Sequence, residues 1–146
     1  MLKSLTKIIT RDLDKLKNEI NAYTDESKIW ATVPGINNSA GNLCLHMTGN
    51  LKHYIGATLG NTGYVRDRDS EFTQKNIPRH ELLRGLDEAS EVVKNTLAAM
   101  NRDDLDKPYP IDFYKLNGST EFYLIHFSTH LNYHLGQINY HRRVLG

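Results

Sequence analysis

The sequence contains a single cysteine, Cys44, among 146 residues. That excludes an intramolecular disulfide and makes a reducing cytoplasm the simplest compartment. No run approaches 18 apolar residues, so no membrane span is expected. The opening Met1-Leu2-Lys3 leads into an amphipathic pattern, not a signal peptide. There is no basic run and the formal net charge is +1, which argues against nucleic acid as a partner. Internal repeats, low-complexity tracts and composition shifts are missing too, so the chain reads as one domain over 1–146. Hydrophobic residues make up 39% and charged residues 24%, the balance of a soluble protein with one sizeable core.

What is present is helical periodicity. Leu2, Leu5, Ile9, Leu13, Leu16 and Ile20 recur at three and four, predicting an amphipathic helix from Leu2 to about Tyr23. Turn chemistry follows in Pro34-Gly35 and Asn37-Asn38-Ser39, with Trp30 placed to close one end of a core. A second helix is expected from about Ala40 to Leu59, with Leu43, Met47, Leu51, Tyr54 and Ile55 as its apolar stripe. A third, from about Pro78 to Asn101, buries Leu82, Leu86, Ala89, Val93, Leu97 and Met100. A fourth, from about Ser119 to Leu145, carries Leu124, Phe127, Leu131, Leu135, Ile138 and Leu145, with Ser119 or Thr120 as N-cap. The connections after the second and third helices are long, and Tyr109–Tyr114 in the later one reads as extended. The expected fold is all-α: an antiparallel-type four-helix bundle whose long connections permit a crossover.

Histidine is the anomaly. There are seven, and four fall between residues 126 and 141. His130 and His134, at i and i+4, project from one helix face and can chelate one metal ion. His46 sits beside the apolar stripe of the second helix, facing the bundle. Three neutral imidazoles leave an ion such as Zn²⁺ with an open position, the catalytic arrangement. Spacing alone admits His126 or His53 almost equally, although His126, His130 and His134 cannot all share one ion because i to i+8 spans about 12 Å. No carboxylate lies on these flanks, which argues against a two-His-one-carboxylate iron site. Cys44, about 200° from His46 on the wheel, reads as a buried small hydrophobe. Asn50, one turn beyond His46, orients either a water or a connecting backbone. Gln137, one turn beyond His134, serves either the ligand sphere or a helix-to-helix hydrogen bond. Gly136 is a close-approach residue or simply faces outward. The charge-dense run from Arg66 to Phe72 is either a solvated loop or a flap, flanked by Tyr64 and Phe72, whose arginines bind an anionic group.

His46, then His130-x-x-x-His134-x-Gly136-Gln137 and the closing Arg142-Arg143-Val144-Leu145-Gly146, resemble the DinB/YfiT-like superfamily. So do Leu45–Leu51 and Arg66–Phe72. The resemblance covers nearly the whole chain in element order. It implies a four-helix bundle of that type, with one divalent metal, zinc or nickel, on His46, His130 and His134. It also implies a homodimer and a small-molecule substrate. Relatives include bacillithiol- or mycothiol-dependent S-transferases and proteins described as metal-dependent hydrolases. On this expectation a water or thiolate on the metal is the nucleophile. Asn50, His53, His126 and Gln137 are candidates to support the metal ligands, and Arg66 and Arg68 to bind a carboxylate-bearing thiol cofactor or substrate. The alternative is a non-catalytic, stress-associated metal-binding dimer; a third reading has histidines that are merely packed.

Overall fold

The three-and-four spacing folds into four long helices, and their order in space explains the length of the connections. The computed structural model describes residues Met1–Gly146 and is all-helical, with two isolated bridges and no strand. Helix α1 spans Leu2–Asn21 and buries Leu5, Ile9, Leu13, Leu16 and Ile20. A 3-10 turn, Glu26–Trp30, leads on to α2. Helix α2 starts where Ser39 Oγ accepts from Asn42 N–H. It is α-helical over Ala40–Leu51, π-helical over Lys52–Ala57 and α-helical again over Thr58–Gly60. The remaining helices are α3, Arg68–Thr73; α4, Arg79–Ala99; α5, Arg102–Asp106; and α6, Thr120–Leu145, with Ser119 as its N-cap.

Helices α1 and α2 each pack against α4 and α6 and hardly touch each other. Side-chain pairs give the directions. Asn132 meets Asp12 and Asn139 meets Glu19, so α1 and α6 run parallel. Lys52 meets Glu88, and Gly60 abuts Thr96, so α2 and α4 are also parallel. Lys17 with Asp87 and Arg79 with Tyr23 make α1 and α4 antiparallel. Two of the neighbouring pairs are therefore parallel, where an antiparallel type was expected. A parallel pair needs a connection that travels back along the bundle, about 30 Å for helices of this length. That is the work of residues 61–78. The crossover lies along α2, held by Asn42 Nδ2, which donates to the carbonyls of Glu71 and Gln74 at 3.0 and 2.8 Å.

Two short helices sit inside stretches expected to be plain connections. Helix α3 is capped by Asp67, and α5 by a reciprocal Asn101–Asp104 capping box. Both are too short to show periodicity. Tyr109–Tyr114 is not a strand. Its loop is pinned at the base by Thr120 N–H to Lys107 O and Tyr109 N–H to Gly118 O. It turns on Asp112, which accepts from Tyr123 Oη and Leu116 N–H.

One contiguous core of 26 buried residues joins the four stripes, Cys44 and Trp30 among them. Met100 and Leu145, expected inside, are only partly covered at the ends of their helices. Leu131 is fully buried and Leu116 is half exposed. Leu131→Ala should lower unfolding stability by about 2–5 kcal/mol in urea titrations, and Leu116→Ala by no more than about 0.5 kcal/mol. Equal effects would contradict this placement of the core.

Candidate metal centre

The crossover and two antiparallel helices bring the triad together. His46 comes from α2, and His130 and His134 from adjacent turns of α6. One ring nitrogen from each lies within 4.8 Å of the others. The Nε2 atoms of His130 and His134 are 3.0 Å apart, and the His46 ring stands edge-on to both, with centroids 5.2 Å away.

Two of the three rings have their other nitrogen engaged. Gln137 Oε1 accepts from His134 Nδ1–H at 2.7 Å. That fixes the tautomer and turns the Nε2 lone pair towards the cluster. Gln137 therefore serves its own helix, where a helix-to-helix bond was the alternative. His46 Nδ1 lies 3.1 Å from Glu71 Oε1, so the carboxylate holds the Nδ1–H and leaves Nε2 free. The periodicity of the long helices does not reach Glu71, which sits on short α3 and arrives from the crossover. A carboxylate does accompany the histidines, then, behind His46.

Glu71 is 5% exposed, and a buried carboxylate needs a cation. Arg66 supplies it in a two-point bond: Nε to Oε2 and Nη2 to Oε1, both 2.8 Å. Burial alone would raise the Glu71 pKa. The hydrogen bonds from His46 and Arg66, with the charge of Arg66, outweigh it and hold Glu71 below the usual carboxylate range. The guanidinium of Arg66 is thus committed inside the protein, with its side chain only 9% exposed. Gly49 makes room for the pair, since a Cβ there would stand 1.9 Å from Glu71 Oε2. Phe72 closes the cover, its ring 4.9 Å from that of His46.

The other expected residues separate. Asn50 is buried, with Oδ1 unpartnered. His53 is not on the cleft beside the triad, and Tyr54 takes that place. The π-helical stretch underwinds α2 after Leu51, so a regular wheel misplaces everything beyond that point. His126 lines the cleft but turns its ring to Tyr114 and Phe113. Arg68 also lines it, lies over Phe72 at 5.2 Å and has no acidic partner. Gly136 faces open space and brings no helix close. His141 belongs to the core: Nδ1 meets Tyr23 Oη at 2.5 Å, and Nε2–H donates to Ala31 O at 2.8 Å.

The cleft is about 230 Å³ and reaches His46 and His130. Clefts of about 520 Å³ near Thr96 and about 510 Å³ near His141 are larger, but neither touches a triad residue.

Residues 2–146 match DUF1572, a family described as proteins of unknown function. The chain belongs to the DUF1572 family. No curated protein matches it. In this DUF1572 chain the two α6 rings of the triad resist protonation, which leaves their nitrogen lone pairs available. Burial, reinforced by His134, His46, His126 and Arg66, pushes the His130 pKa down to about 4, and burial also lowers that of His134.

Unfolding returns His130 to about 6.5. The unfolded chain therefore binds a proton that the folded chain refuses between about pH 6.5 and 4. The associated stability is complete above pH 6.5 and is lost on acidification through that window. Denaturation midpoints of metal-free protein should fall from pH 7 to pH 5, and less steeply in His130→Gln; parallel slopes would contradict the assignment. Alanine for glycine inside a helix ordinarily stabilises by roughly 0.5–1 kcal/mol. Gly49→Ala should do the reverse, because it displaces Glu71. It should also weaken metal affinity by roughly 10–100-fold, read by chelator competition. Unchanged affinity would show that Glu71 does not support His46.

Proposed function

We propose that this DUF1572 chain is a divalent-metal-dependent enzyme of DinB-like type, with His46, His130 and His134 as ligands and zinc or nickel as the ion. The observation that carries the reading is three convergent imidazoles, two with their outer nitrogens held by Glu71 and Gln137, beside an open cleft. The donor set fits the group. All three candidate ligand atoms are nitrogens within 4.8 Å of one another, and imidazole suits zinc and nickel. The order of elements and the spacing of His46, His130, His134 and Gln137 support the link to DinB-like proteins.

A bound divalent ion supplies Lewis acidity, lowering the pKa of a water or thiol so that a nucleophile is available near neutral pH. The protein's own groups do the rest. Glu71 keeps the proton on His46 Nδ1, and Arg66 keeps Glu71 ionised. Gln137 holds the His134 tautomer. Phe72 and the crossover cover one side of the triad and leave the cleft as the approach. Arg68, the cleft arginine without an acid partner, binds a carboxylate of the substrate or of a low-molecular-weight thiol such as bacillithiol. Thiol S-transfer and hydrolysis share this machinery and differ in the nucleophile admitted.

The alternative, a non-catalytic metal-binding homodimer, draws on the outer face of α6. Phe122, Ile125, Tyr133, Tyr140 and Val144 are all exposed there along one stripe.

Protein purified without tag or chelator should carry about one divalent ion per chain, and His130→Ala and His134→Ala should each abolish it. Full occupancy in both variants would sink the triad. The loaded protein should conjugate a chlorobimane-type electrophile with at least one of a panel of small thiols, or hydrolyse an ester panel. Stoichiometric metal with neither activity would leave the binding reading.

A further inference from the structure

The outer faces of the long helices differ in charge. On α1 the exposed side carries Lys3, Lys7, Arg11 and Lys15, and on α4 it carries Arg84, Asp87, Glu91 and Lys94. On α6 the stretch from Phe122 to His141 contains no lysine, arginine, aspartate or glutamate. Phe122, Ile125, Tyr133, Tyr140 and Val144 stand exposed along one side instead, opposite the stripe that enters the core. Phe122, Tyr133 and Val144 recur at an interval close to three whole turns, so the strip runs nearly straight along the helix for about 33 Å. Single exposed hydrophobes need no partner, but a contiguous aromatic strip without charge has the composition of an interface core.

The ends of the strip say what covers it. Glu121 stands at one end and Arg143 at the other, about 40° apart on the wheel and therefore on one flank. Neither is ion-paired within the chain: Arg142 takes Glu19, while Arg143 lies over the Tyr140 ring at 5.3 Å. A second α6 laid antiparallel across a two-fold axis meets like flank with like flank. The acid of each copy then faces the base of the other. Parallel pairing would set acid on acid and base on base. The residues between the ends fit the antiparallel register. With Tyr133 on the axis, Phe122 meets the partner's Val144, Ile125 the partner's Tyr140, and Thr129 the partner's Gly136. The last pair is small on both sides, and a Cβ at Gly136 would meet nothing of its own chain within 4 Å. Such a contact is self-complementary and closes with two copies.

We propose that the outer face of α6 is a docking surface for the α6 of a second copy, antiparallel and centred on Tyr133. This goes beyond the expectation of a dimer by fixing the face, the direction and the register. A seam one helix wide is at the small end of specific interfaces, so association occurs at micromolar and not nanomolar concentration. The seam uses none of the metal ligands, and its test is run on metal-free protein, so its failure and that of the metal reading are separate.

Sedimentation of the full chain from about 1 to 500 µM, the range suited to so small a seam, should show a reversible monomer–dimer equilibrium. Gly136→Arg and Tyr133→Arg alter exposed positions and should keep the wild-type circular dichroism, yet each should weaken dimerisation at least roughly ten-fold. Glu121→Arg and Arg143→Glu, made singly, should each weaken it by roughly three- to ten-fold, the effect of two rim pairs turned repulsive. Made together they should restore it, because only the antiparallel register sets the two positions against each other. Should the charge variants fold poorly, Tyr133→Cys serves instead: Cys44 is buried, so a short bismaleimide should join two copies through position 133 alone. A chain that stays monomeric throughout, including one that binds lipid vesicles or another protein through α6, overturns the proposal. So does a dimer indifferent to Gly136→Arg and Tyr133→Arg, a charge exchange that fails to rescue, or no cross-link at position 133.

Discussion

A buried carboxylate needs a cation, and the site is built around how Glu71 finds one. Glu71 carries Arg66 on one side and His46 on the other. Removing one partner of such a buried pair typically costs about 3–5 kcal/mol, so the three side chains hold or fail together. The arrangement ties a segment that is otherwise polar and locally weak onto α2. It also sets the orientation of His46, because the imidazole proton must point at the carboxylate. Gly49 and Asn42 serve the same contact, Gly49 by leaving space and Asn42 by binding the crossover backbone. A structural ion pair thereby becomes the support of a candidate ligand.

Topology explains why the support comes from a crossover at all. With α2 and α4 parallel, the chain must return along the bundle between them, and the return path passes His46. A short hairpin between antiparallel neighbours would leave His46 open to solvent on that side. The length of residues 61–78 is therefore a consequence of helix order, and the Arg66–Phe72 run is the part of that length that meets the site. Its alternating charges sort accordingly. Asp67 caps α3, Arg66 and Glu71 turn inward, and Arg68 stays at the cleft rim.

The long helices were legible because each carries an apolar stripe over five or six turns, and the stripe residues Ile9, Met47, Leu86 and Leu131 are all fully buried. His46, His130 and His134 were legible for the same reason: their place beside those stripes follows from regular winding. Three things lay outside that logic. Glu71 belongs to a six-residue helix, too short for a period, and its partner Arg66 precedes that helix; only the spatial crossover joins them to His46. The π-helical stretch breaks the winding itself, so His53 leaves the face that the wheel assigned it and Tyr54 replaces it. The parallel pairing of α2 with α4 is a property of the assembled bundle, which no single helix encodes. The Asn101–Asp104 capping box is different: its residues stood in the sequence at the right spacing, and the helix they start was readable.

The two ends of the triad are held by different means, and that difference bears on function. His134 takes its orientation from Gln137 on the same helix turn, a local bond that survives any movement of the crossover. His46 takes its orientation from Glu71, which moves with the crossover. Any event that shifts residues 66–72 therefore acts on one ligand and spares the other two. Arg68 links that segment to the cleft, since it lies over Phe72 while facing the space beside His46 and His130. The segment that brings Arg68 to the cleft rim is thus the one that brings Glu71 to His46, although its sequence looks like nothing more than a charged loop.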